Sequence, residues 1–243
     1  MLYLPGRPVT QDSIRTTRTP VVAAVLAALP LLAGCSRLPE FAEPKSSAAG
    51  AYDPDSGGDL VRYRSLERGD FRRKIPPEVT KQGPYELGAM TCAHVRTNPD
   101  VRINIVSTTD PGGKTRHEGR LSNLKFFAYM DRDCSWWNPT NDDVPYTLEH
   151  EQIHFAISEL EARGLNQESQ KLMRELRVTG DSKEEIVAKV QKELNELLEE
   201  HNEEALDRNR EFDEETSVGK NPTRQREWRK TVERELEATE AWR

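Results

Sequence analysis

Thr147 to Gly164 read TLEHEQIHFAISELEARG. Ile153, Ile157 and Leu160 recur at helical spacing, with Thr147 placed as an N-cap and Gly164 as a stop, so the segment is predicted to be an amphipathic helix. Inside it, His150, Glu151, Gln152, Ile153 and His154 form an HExxH pattern. One helical turn separates the two histidines, which puts both imidazoles on one face within reach of one metal ion. Glu151 lies about 100° further round the helix, close enough to hold a water on that ion without ligating it. A metal polarises a carbonyl and a water, while Glu151 takes the water's proton and passes it to a leaving amine. The plainer alternative is a solvated polar helix face with no metal at all.

Two histidines do not close a coordination sphere, and the third ligand is less legible. Glu161 lies on nearly the same face as His154 but about 10 Å along the axis, too far to share its ion. Glu159 is nearer in sequence and points roughly 140° away. A long-range ligand is therefore required, for which His94, His117, His201 and the acidic side chains of the C-terminal third remain. His201 also falls on the packing stripe of its own predicted helix, where a satisfied interface histidine is the simpler reading. His94 and His117 read as ordinary polar residues.

Ahead of the histidine helix, Val61 to Cys134 reads mostly as strand. Val101, Ile103 and Ile105 alternate with polar residues, TTDPGGK at 108–114 is a turn, and LSNLKFFAYM at 121–130 is a second apolar run, which together predict an antiparallel pair. Behind it, a helix from about Ser182 to Arg208 aligns Ile186, Val190, Leu194 and Leu197. Residues 181–215 hold 14 acids and five bases, the composition of a solvated helix face. A last helix follows Pro222, packing through Trp228, Val232 and Leu236. The expected fold class is α+β: a small antiparallel sheet followed by a helical region carrying HExxH.

The N-terminal region points to export. Arg7, Arg15 and Arg18 precede VVAAVLAALPLL at 21–32, an apolar run too short to span a bilayer. It ends in Leu32, Ala33, Gly34 and Cys35, which resembles the bacterial lipobox. That resemblance implies a signal peptide at 1–34, lipidation of Cys35, and a membrane-attached chain. Ser36 after the cysteine favours the outer membrane, facing the periplasm. Residues 35–60, rich in Ser, Ala, Gly and Pro, read as a tether, leaving 61–243 as the folded domain. Cys92 and Cys134 remain as a pair, and in an oxidising compartment a disulfide is expected. The net charge of −7 argues against nucleic acid as a partner.

SWWNPTNDDVPYTLEHEQIHFAISELEAR, Ser135 to Arg163, resembles the signature of a bacterial domain-of-unknown-function family described as predicted secreted zinc-dependent proteases. LERGDFRRKIPPE at Leu66 to Glu78, GAMTCAHV at Gly88 to Val95 and FDEETSVGKNPTRQREW at Phe212 to Trp228 are similar to other blocks of that family. The resemblance implies a zincin-like fold, Zn²⁺ as cofactor, His150 and His154 as ligands, Glu151 as general base, and a peptide or protein substrate. In the family's closing motif a histidine precedes the glycine, whereas here Val218 precedes Gly219. A valine cannot bind metal, so either Glu159, Asp213, His201 or another residue substitutes, or the chain has only two protein ligands and is weak or inactive, a degenerate binding or assembly module of the envelope. Asp213 and Gln225 match polar positions of the same motif, and their plainer roles are a local cap and an exposed helical residue. Trp136 and Trp137 read as packing against the sheet.

Overall fold

The structure is a computed structural model describing residues 58–77 and 87–243. The expected signal peptide, the lipidation at Cys35 and nearly all of the tether lie outside the described residues. Among the described residues no helix is long and apolar enough to cross a membrane.

The chain is α+β, with short antiparallel sheets followed by helices. The central sheet places β6 (Phe126–Asp131) between β1 (Leu60–Arg62) and β3 (Ala93–Thr97), antiparallel to both. β2 (Ala89–Met90) pairs with β7 (Trp136–Trp137). A hairpin of β4 (Arg102–Thr109) and β5 (Thr115–Ser122) is extended by β8 (Val178–Gly180). Because β6 is covered on both sides, Phe126, Ala128, Tyr129 and Met130 are all buried.

This topology corrects the predicted strand pair. Ile103 and Ile105 do lie in a hairpin whose turn is at Asp110 to Lys114, but their partner strand is Thr115–Ser122. The apolar run 121–130 is cut by Asn123, which adopts a left-handed conformation (φ 56°), so its second half enters a different sheet. Cys92 and Cys134 are disulfide-bonded as expected, tying the start of β3 to the segment after β6. A loop of that length is worth about 4 kcal/mol on a chain-entropy account.

Three helices follow: α1 (Val144–Glu175), α2 (Lys183–Thr216) and α3 (Pro222–Ala238). α1 starts earlier than predicted, since Asp143 caps it by accepting from Tyr146 N and Pro145 occupies the first turn. Nor does Gly164 stop it. A mid-helix glycine costs about 1 kcal/mol relative to alanine, and burying Leu165 alone returns roughly 1.5–3 kcal/mol. Asn166 adds a two-point contact, accepting from Phe126 N (2.8 Å) and donating to Phe126 O (3.0 Å).

The predicted apolar face of α1 is the face against β6: Ile153, Phe155, Ala156 and Ile157 have no exposed surface. Gln152, inside HExxH, pins the helix to the N-terminal segment by accepting from Leu66 N and donating to Arg64 O. α2 buries Ile186, Val190 and Leu194 as expected and runs eight residues beyond Arg208. Its first turn sits on Gly119, where a Cβ would come within 2.2 Å of Ile186. Asn202 anchors its middle, accepting from Val95 N at 2.9 Å. α3 buries Val232 and Leu236, with Trp228 packed against the same core.

Candidate metal centre

HExxH occupies the N-terminal half of α1, and the far end of α2 is laid across it. His150 Nε2, His154 Nε2 and Asp213 Oδ1 form a triangle whose three sides are each 3.2 Å. Donors held about 2.0–2.1 Å from a zinc-sized ion at tetrahedral angles lie roughly 3.3–3.4 Å apart. The triangle therefore has the dimensions of one face of a coordination tetrahedron.

The ring tautomers are set from behind. Gln225 donates through Nε2 to Tyr146 O and Glu149 Oε1, so its Oε1 is the atom that meets His150 Nδ1 at 3.1 Å. Asn209 donates to Ala205 O, so its Oδ1 meets His154 Nδ1 at 2.6 Å. Each Nδ1 must then carry a proton to donate, which leaves the Nε2 lone pairs directed at the triangle. Arg229 fixes the rear of this network through Glu149 at 2.9 Å.

Three lone-pair donors facing one point repel unless a cation lies there. Burial works against the charge of Asp213, yet wherever an imidazole also carries a proton on Nε2, its hydrogen bond and charge hold the Asp213 carboxyl well below the usual carboxylate range. Burial likewise disfavours a charged His154. Hydrogen bonding to Asp213 and the charges of Glu151 and Asp213 override it, raising the His154 pKa above the ordinary value. The cluster attracts one positive charge, and a proton on His154 competes with a metal for that place.

Glu151 is 3% exposed, and its Oε2 is buried with no hydrogen-bond partner among the described residues. Leaving a carboxylate oxygen in that state costs on the order of 1–3 kcal/mol or more. An ion with an attached water would satisfy it. The walls are apolar and tight: Phe212 stacks on His150 at 4.5 Å and meets His154 edge-on at 4.8 Å. Behind His150, Gly219 (φ 75°) leaves its Nδ1 only 3.4 Å from where a Cβ would stand.

Of the three candidates for the third donor, the structure brings in Asp213 alone. Glu159 is spent on the buried Arg163, accepting from its Nε at 2.8 Å on the opposite side of α1. His201 pairs with Glu161 at 3.3 Å, away from the triangle. Asp213 is therefore no simple cap, and Gln225, expected to be exposed, is fully buried. Val218 is 43% exposed on the turn beside Gly219. Asn209 had not been singled out from the sequence at all. Its signal was its position among Ala205, Phe212 and Thr216, a polar residue on the buried stripe of α2.

Compared with known proteins, the chain matches no family model, no curated protein and no solved structure.

Proposed function

We propose that this protein is a zinc-dependent peptidase of the bacterial envelope, with a zincin-like arrangement of its active centre. The single observation that carries this reading is the 3.2 Å triangle of His150, His154 and Asp213 beside a buried, unsatisfied Glu151 oxygen. Two imidazoles and one carboxylate are the protein donor set of a catalytic zinc site. Zinc held there would supply Lewis-acid polarisation of a substrate carbonyl and of an attacking water. Glu151 Oε2 would be the base that accepts a proton from the attacking water and returns it to the leaving nitrogen. Asn209 and Gln225 hold the imidazoles in the ligating tautomer, and Phe212 keeps solvent from one side of the site.

The resemblance to predicted secreted zinc-dependent proteases supports the same reading. The alternative of a catalytically degenerate binding module arose from Val218, and Asp213 supplies the donor that Val218 does not. A different alternative, in which a proton on His154 replaces the metal permanently, is favoured by the raised His154 pKa.

Zinc content by mass spectrometry on the chain from Ser36 onward, beside peptide hydrolysis by the same protein, separates these readings. About one tightly held zinc per chain, lost in His150→Ala, with hydrolysis abolished but zinc kept in Glu151→Gln, is expected. A folded chain that binds no zinc at this cluster overturns the proposal in favour of the ion pair. Zinc without hydrolysis across a broad peptide library favours the binding module. The lipid anchor is part of the proposal, and incorporation of labelled fatty acid that Cys35→Ser fails to abolish would remove it.

A further inference from the structure

We propose a second divalent-cation site, separate from the triangle above, between α1 and α2 at Glu161, His201 and Glu204. His201 Nδ1 lies 3.3 Å from Glu161 Oε2 and 3.6 Å from Glu204 Oε2, while its Nε2 faces Glu168 Oε2 at 3.8 Å. One donor atom from each of Glu161, His201 and Glu204 lies within 4.8 Å of the other two.

The imidazole separates this cluster from an ordinary acidic surface. The side chains of His201 and Glu161 are 13% and 18% exposed, so both are largely withdrawn from bulk water at the contact of two helices. A neutral imidazole offers one N–H and one lone pair. In that neutral ring, whichever nitrogen carries the proton, the other sets its lone pair against a carboxylate, an unfavourable contact that a second proton or a bound cation relieves. On the Nδ1 side two carboxylates compete for what is at most one hydrogen. Among the described residues no Lys or Arg pairs with Glu161, Glu168 or Glu204; each finds only His201. The net acidic charge of residues 181–215 adds a field of the same sign.

An imidazole with two carboxylates suits a borderline ion of the zinc class better than calcium or magnesium, which prefer oxygen alone. Glu204, its side chain 60% exposed, can adjust to an incoming ion and leave it open to solvent. Binding is accordingly weaker than at the buried triangle. Glu161 is seven residues beyond His154, roughly 10 Å along α1, so the two sites cannot share an ion. A cation here joins α1 to α2 and stabilises their pairing.

Zinc titration of the chain from Ser36 onward, followed by native mass spectrometry and repeated with Co²⁺ by visible absorption, tests the site. Wild type is expected to take two ions. His150→Ala/His154→Ala should keep one, and adding His201→Ala should leave none. Glu204→Gln, a change at an exposed side chain that spares the fold, should weaken the second ion at least tenfold. The proposal is overturned if the folded double variant binds no ion, or if His201→Ala and Glu204→Gln leave its ion unaffected. Should the double variant not fold, an unchanged weaker phase in Glu204→Gln has the same force. Wild type holding only the His201-dependent ion would refute the peptidase centre and leave this site standing.

Discussion

Replacing Asp213 by asparagine tests the triangle most directly, because it keeps the shape and removes the charge and the anionic donor. A ligand that binds only the folded state stabilises it by RT ln(1 + [L]/Kd), about 4.1 kcal/mol when free zinc is a thousand times the wild-type Kd. For a domain of this size each kcal/mol shifts Tm by roughly 2–4 °C, so zinc should raise the wild-type midpoint by about 8–16 °C. Removal of one ligand costs at least the 10–100-fold in affinity seen for supporting residues. At a hundredfold, the same zinc concentration is only about ten times the variant's Kd, which leaves roughly 1.4 kcal/mol and a shift of about 3–6 °C. Differential scanning calorimetry with buffered zinc, on variants that already carry Glu204→Gln to suppress the α1–α2 site, reads the difference. A zinc-induced shift equal in Asp213→Asn and its parent would show that Asp213 is not the third donor.

Three further outcomes follow from packing and charge. Gly119→Ala drives a Cβ into Ile186 and should destabilise by about 1–3 kcal/mol; urea unfolding should show most of that loss recovered when Ile186→Ala is combined with it, and purely additive losses would count against the contact. Val218 holds a β-branched side chain at φ 54° while exposed, so Val218→Gly should raise Tm by a few degrees, relief of about 1–2 kcal/mol of left-handed strain outweighing the added chain entropy; a lower Tm would contradict it. His94 is half-buried, and that partial burial followed by the charge of Arg96 lowers its pKa below the ordinary histidine value. Its unfolded form therefore takes up a proton first as pH falls, so its contribution to stability is present above about pH 6.5 and is lost as the pH drops from there through the folded pKa. His94→Gln should flatten that part of the Tm profile, and an identical profile in the variant would exclude His94 as its source.

What could be read from the sequence was what local periodicity encodes. Ile153, Ile157 and Leu160 marked the buried side of α1, and the same spacing set His150 and His154 on another side, since one helix repeat governs both. Where tertiary contacts outweigh local preference, the reading failed. Gly164 looked like a stop because its backbone cost is local, while what carries the helix past it is tertiary: the burial of Leu165 in the core and the contacts of Asn166 with β6. The run 121–130 looked continuous because Leu121, Leu124, Phe126, Ala128 and Met130 are all buried, and only the backbone of Asn123 divides it. Asp213 was one acid among 14, and nothing near it in sequence reveals that its carboxylate meets two histidines 59 and 63 residues away.

The position of Asp213 follows from the pairing of two long helices. His150 meets Asp213 and His154 meets Asn209, so four residues forward on α1 correspond to four residues back on α2. Seven residues further along α1, Glu161 meets His201, eight residues back from Asn209. This is an antiparallel register, and contacts along the whole of α2 hold it: Ile186 against Gly119 at one end, Asn202 on Val95 in the middle, and Phe212 against Trp228 at the other end. A slip of one residue along α2 would turn each of its side chains about 100° and take Asp213 from the triangle and His201 from Glu161 together. The packing of α2 therefore sets the geometry of both clusters, although its apolar side chains contribute no donor to either.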